Sequence, residues 1–198
     1  MTNDRINAFS DGVIAILITI MVLELKVPHG TDLAALSSLL PVFLTYVLSF
    51  IVLAIYWNNH HHMFYLTDRV TGGILWANLH LLFWLSLMPF VTGWMGENHF
   101  APLPTALYGV VLMMAGVAYY VLSQTIIRSQ GPQSKLKAAV GGDAKGLVSV
   151  LLYLIAIPLA FVNQLLSDAI YVFVALMWLV PDRRIEQLFD EISGQEEG

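Results

Sequence analysis

Apolar residues run through this chain in blocks of roughly twenty, separated by short polar stretches. An α-helix of that length crosses the ~30 Å hydrocarbon layer of a bilayer, because each residue rises ~1.5 Å and every backbone polar group bonds inside the segment. Six spanning segments are predicted, at 6–25, 38–60, 72–95, 103–127, 147–166 and 168–181. Only Asn163-Gln164 and Ser167-Asp168 divide the last two, and the sixth is short. A five-span arrangement, with the last segment re-entrant or interfacial, therefore stays open. Pro158 is expected to kink segment 5, since it removes one helical hydrogen bond. The fold class is all-α and polytopic. Residues 1–182 form one transmembrane domain and 183–198 a tail, and the stretch from Asp182 to Phe189 at their junction is predicted to lie along the cytoplasmic membrane face as a short polar helix.

The connections are Lys26 to Ser37, His61 to Thr71, Gly96 to Pro102 and Arg128 to Lys145. The last is the longest. It contains Gly131-Pro132 and Gly141-Gly142 and is expected to be mobile. Cytoplasmic connections carry an excess of Lys and Arg. Placing the N-terminus inside puts Arg5, Arg69, Arg128, Lys135, Lys137, Lys145, Arg183 and Arg184 on the cytoplasmic side and leaves Lys26 alone outside. Both termini then lie in the cytoplasm, which an even number of spans requires.

Composition agrees with a membrane protein. Apolar residues make up 58% of the chain and charged residues 12%, against about 45–50% and 25% in soluble domains. The net charge of −5 arises mainly from Glu186, Asp190, Glu191, Glu196 and Glu197 in the tail. No basic stripe points to nucleic acid. The absence of cysteine excludes disulfides, thiolate metal sites and cysteine nucleophiles. Asp4 and Asp11 interrupt what would be the basic and apolar regions of a signal peptide, so segment 1 is expected to remain in the mature protein.

Segment 1 holds the most informative chemistry. Ile16, Thr19, Ile20 and Leu23 fall at i, i+3, i+4 and i+7 and share one face, which Gly12 continues. Spacing alone fits a packing surface as well as a pore lining. Asp11 is a carboxylate in a membrane-grade segment, which makes it a functional candidate in need of a partner. It lies about 140° around the helix from Ile16 and so should face neighbouring helices. Arg5, about 120° and 9 Å away, is an awkward partner. Trp57, Asn58, His61, Asn78 and His80 are better candidates. Asp11 could then order a hydrogen-bond hub, contact ions or respond to protonation. Along His60-His61-His62 successive side chains point about 100° apart and cannot share one metal ion. His61 is expected to face inward, His80 to find a partner within the bundle, and no metal site is assigned. Asn78, Ser86, Thr92, Ser123, Gln124 and Asn163 are expected to form interhelical bonds. Glu24 is placed near the outer end of segment 1.

The pattern Arg-x-x-x-Phe-Ser-Asp-Gly-Val-x-Ala-Ile-x-x-Thr, from Arg5 to Thr19, resembles the signature of the transmembrane protein 175 family of potassium channels. Lys26-Val27-Pro28, Trp57-x-x-x-His61-His62, Asn78-Leu79-x-Leu81-Leu82-Phe83 and Pro89-Phe90 extend the likeness. The resemblance implies six helices per subunit and a homotetramer in the bacterial inner membrane. Helix 1 of each subunit would line a central pore. Potassium would be the permeant ion, modestly preferred over sodium, with no cofactor. Ile16 would form the narrowest ring, Ile20 and Leu23 wider apolar rings, and Thr19 a hydroxyl layer contributing to selectivity. Arg5, Phe9, Ser10, Asp11, Trp57, Asn58, His61, Asn78 and His80 would form the signature and polar network that orients the pore helix.

Two other readings are compatible with the residues. One is a small proton-coupled carrier using Asp11 and His80, although carriers commonly have broken helices. The other is a non-conducting membrane scaffold. No nucleophile–base pair, phosphate-binding glycine loop or pair of carboxylates within one span suggests an enzyme.

Overall fold

The computed structural model describes residues 3–140 and 144–179, and all regular structure among them is helical. Helix α1 (Asn3–Ile20) runs on into a 3₁₀ turn, Met21–Glu24. The short α2 (Leu33–Ser37) is capped by Asp32, whose Oδ1 accepts from the Ala35 amide at 2.9 Å. There follow α3 (Leu40–Tyr65), α4 (Gly72–Ser86), α5 (Met88–Glu97), α6 (Pro102–Gln130), α7 (Lys135–Val140), α8 (Ala144–Leu159) and α9 (Gln164–Leu179). Four stretches are long and apolar enough to cross a membrane: Asn3–Glu24, Leu40–Tyr65, Gly72–Glu97 and Pro102–Gln130. The helices α8 and α9 are shorter, at 16 residues each.

The stretch read as one segment at 72–95 is two helices, α4 and α5, broken at Leu87. Pro89 has no amide hydrogen for the Leu85 carbonyl, and its ring crowds that carbonyl. The backbone tightens to a Leu87-to-Trp84 bond of 3.2 Å. The fifth and sixth segments also divide elsewhere than expected. Pro158 lies one residue before the end of α8 and so terminates that helix instead of kinking a longer one. The chain turns over at 160–163. Asn163 caps α9, its Oδ1 accepting from the Leu166 amide at 3.2 Å, and is not an interhelical residue. Two bonds tie α8 and α9 together as an antiparallel pair: Ser167 Oγ donates to the Ala156 carbonyl at 2.9 Å and Trp178 Nε1 to Ser149 Oγ at 2.9 Å. The Arg128 to Lys145 connection contains α7, and α6 ends where Gly131 takes a positive φ of 76° that favours glycine. The tail helix, residues 180–181 and Gly141-Gly142 lie outside the described residues.

Helix α6 is the spine of the bundle. Tyr108, Leu112, Ala115, Ala118, Leu122 and Ile126 are fully buried against α4 on one side and α8 on the other. Small residues let helix axes approach closely. A Cβ on Gly109 would lie 2.1 Å from Tyr171 Oη, and one on Gly96 would lie 2.7 Å from the Val42 backbone. Helix α1 packs on α3, α4 and α5. Its first turn is tied to the end of α3, where Asn3 Nδ2 donates to the Phe64 and Thr67 carbonyls at 2.8 and 2.7 Å. The Phe64 carbonyl also accepts from the Thr67 amide at 3.1 Å, so Asn3 adds a second donor at the end of α3.

Candidate functional site

Helix α1 has two sharply different faces. Ile6, Ser10, Ile14, Leu17 and Met21 recur every three or four residues and are buried. Opposite them runs an uncovered stripe of Phe9, Gly12, Ala15, Ile16, Thr19, Ile20 and Leu23. Ile16 is 56% exposed and Leu23 74%. Gly12 presents bare backbone, with no atom within 4 Å of a Cβ placed there. The Thr19 hydroxyl lies 3.1 Å from the Ala15 carbonyl and 2.9 Å from that of Ile16. With its hydrogen directed into the helix, its oxygen lone pairs point away from it.

The Phe9-Ser10-Asp11 triplet divides three ways, as 100° steps around a helix require. Phe9 is exposed, Ser10 is fully buried and Asp11 lies between. Asp11 Oδ1 accepts from Trp57 Nε1 of α3 at 3.0 Å. Ser10 belongs to a separate, buried chain that joins three helices. Asn78 Nδ2 of α4 donates to Ser10 Oγ at 2.9 Å, and Asn78 Oδ1 lies 2.8 Å from His60 Nε2 of α3. An amide oxygen only accepts, so His60 carries its hydrogen on Nε2. Its Nδ1 has no partner among the described residues, and the ring packs on Phe64 with centroids 4.6 Å apart.

These contacts correct two expectations. The inward histidine is His60, 1% exposed, whereas His61 is on the exposed side above Trp57. Counting back from His60 by helical period reaches Leu53 and Ser49, both buried; counting back from His61 reaches exposed Trp57. His80 is exposed on α4, and its Nε2 accepts from Trp84 of the same helix at 3.0 Å. No hydrogen bond joins it to Asp11 among the described residues, so the pair invoked for a carrier is not assembled within one subunit. Arg5 and Asn58 are also exposed. Among the described residues no cluster of three or more His, Cys, Asp or Glu forms a metal site.

A second buried polar chain, unforeseen in the sequence apart from Thr92, braces the other end of the bundle. Ser49 Oγ of α3 lies 2.6 Å from Thr92 Oγ1 of α5 and 3.0 Å from Tyr108 Oη of α6. Glu24 turns its carboxylate toward α5, where a Cβ on Gly93 would lie 2.6 Å from Oε2, and so away from the Leu23 stripe. Lys26 pairs with Glu97, whose carboxylate holds the ammonium above its ordinary pKa.

Residues 5–89 match the family model described as endosomal/lysosomal potassium channel TMEM175. A potassium channel of Chryseobacterium sp. is 53% identical over 96% of this chain and 100% of its own length. A potassium channel of Streptomyces collinus is 31% identical over 88% of this chain and 90% of its own. The crystal structure of a lysosomal potassium-selective channel TMEM175 homolog from Chamaesiphon minutus aligns with a TM-score of 0.79 at 28% identity, covering 89% of this chain and 96% of that one.

Proposed function

This multi-pass membrane chain belongs to the TMEM175 family of ion channels, and we propose that four copies surround one axis to form a potassium-permeable pore lined by α1. The observation that carries this reading is the uncovered stripe of α1. It combines bare backbone at Gly12, an outward hydroxyl oxygen at Thr19 and branched apolar side chains at Ile16 and Ile20. One subunit cannot enclose a pore, so the stripe needs other copies to complete it.

In this arrangement Ile16 forms the narrowest ring, with wider rings at Ile20 and Leu23. A narrow apolar throat sheds water and does not replace an ion's hydration shell, so it blocks until it dilates. Potassium holds its hydration shell less tightly than sodium and passes more readily once it does. Thr19 adds a layer of oxygen ligands next to the Ile16 ring. The excess of Lys and Arg in these segments supports an orientation with both termini in the cytoplasm of a bacterial cell and the channel in its inner membrane. Helix dipoles then direct their positive ends toward the cytoplasmic mouth.

The test is flux through purified protein in liposomes under opposing potassium and sodium gradients, with Ile16→Asn in parallel. Wild type should give a reversal potential displaced toward potassium. The variant should give larger or less selective currents, since an amide wets the throat. Silence from both proteins, each well folded, would remove the pore reading.

A further inference from the structure

A cavity of about 690 Å³ lies between α3, α6, α8 and α9, away from α1. That volume is in the range of small-molecule sites, about 300–1,000 Å³. Its wall is apolar, with Val52, Ile55, Val150 and Val174, and the rings of Tyr56 and Tyr153 line it as well. Two lining residues, Tyr120 and Leu147, are 51% and 64% exposed, so the cavity opens on the lateral surface of the subunit. Asn59, Gln124 and Lys137 make one end of it polar.

That end meets the most basic connection in the chain. Residues 128–145 contain Arg128, Lys135, Lys137 and Lys145 against the single acid Asp143. Lys135 is 3.5 Å from Asp68, whereas exposed Lys137 makes no ion pair among the described residues. The N-terminal end of α8, at Gly146, lines the same end and adds the positive pole of its dipole. An empty apolar void forfeits the contacts its wall could make. In a bilayer the molecule at hand to fill it has an acyl chain. Basic pockets between helices on the cytoplasmic side select anionic headgroups.

We propose that this cavity binds an anionic phospholipid, with one acyl chain along the Val52–Val174 wall and the phosphate against Lys137. The leaflet follows from the orientation proposed above, but the binding chemistry does not depend on conduction.

Native mass spectrometry of the full-length protein in detergent tests it, counting dioleoylphosphatidylglycerol and dioleoylphosphatidylcholine retained from an equimolar mixture. Thermal midpoint and oligomeric size serve as folding controls. Wild type should retain phosphatidylglycerol preferentially. Lys137→Gln, an exposed change, should reduce that preference about fivefold, the worth of one basic residue at a membrane surface. Gly116→Leu should abolish retention of both lipids, because a Cβ there has only Tyr56 Oη at 3.8 Å and the added side chain projects into the cavity. Equal retention of the two lipids by wild type would overturn the proposal. So would an unchanged preference in Lys137→Gln, or retention of oleate in place of phospholipid. The readout needs no current, so loss of lipid selectivity and loss of channel activity are separate results.

Discussion

Replacing Asn78 with leucine tests the buried chain that sets α1 against α3 and α4. Leucine keeps the branched heavy-atom skeleton of asparagine, so it leaves no cavity and reaches the same neighbours. Both side-chain bonds of Asn78 are lost, at 2.9 Å to Ser10 and 2.8 Å to His60. The two orphaned groups do not suffer equally. The Ser10 hydroxyl can turn back onto a carbonyl of its own helix. His60 is 1% exposed and pinned against Phe64, so its Nε2–H has nowhere to go. A buried unpaired donor costs about 1–3 kcal/mol, while interhelical bonds in membrane proteins average about 0.6 kcal/mol. The expected loss is therefore about 2 kcal/mol, most of it from His60. Ser10→Ala alone should cost about 0.5 kcal/mol. Combining Asn78→Leu with His60→Leu should recover at least about 1 kcal/mol relative to the sum of the single variants, because the orphaned donor disappears. Reversible unfolding in mixed micelles measures wild type and the four variants. If the two leucine variants add within about 0.5 kcal/mol, the scatter of independent sites, the bonded chain is energetically idle and the argument fails.

Two glycines should respond in opposite ways. Gly96→Ala places a Cβ 2.7 Å from the Val42 backbone, which cannot move aside, and should cost about 1–3 kcal/mol in the same unfolding assay. Gly12→Leu meets nothing within 4 Å in the subunit, so it should leave subunit folding intact while reducing potassium flux by narrowing the stripe. Flux equal to wild type from Gly12→Leu would place that stripe outside the conduction path. The Lys26–Glu97 pair yields a pH prediction. Glu97 raises the folded-state pKa of Lys26 above its ordinary 10.5. Its contribution is fully present below pH 10.5 and disappears as pH rises through the raised value. Glu97→Gln should erase that alkaline component and, because Lys26 is fully exposed, leave the neutral-pH midpoint nearly unchanged. A large drop at neutral pH would contradict the surface-pair assignment.

Much of the molecule was legible in the residues because the bilayer simplifies the problem. A backbone in hydrocarbon must bond to itself, so runs of apolar residues announce helices without knowledge of their neighbours. The same locality gave the shared face of Ile16, Thr19, Ile20 and Leu23, since helical period needs only the spacing. Local breakers were harder to read. Pro89 and Pro158 are plain in the sequence, but whether a proline kinks, splits or ends a helix depends on what receives the freed carbonyl.

The sequence by itself determined the all-helical membrane class, the polar residues inside it and the face that Ile16, Thr19, Ile20 and Leu23 share, while the tertiary structure left that face exposed among the described residues. The tertiary structure decided that His60 and not His61 turns inward, that Asn78 serves Ser10 and His60 while Asp11 is left to Trp57, and that His80 stays with Trp84. The reason is geometric. Neighbouring residues on a helix differ by about 100° in direction, so the axial rotation of α3 against α1 and α4 alone selects which histidine is buried. That rotation is set by the packing of α3 on α5, α1 and α9, among residues distant in the chain.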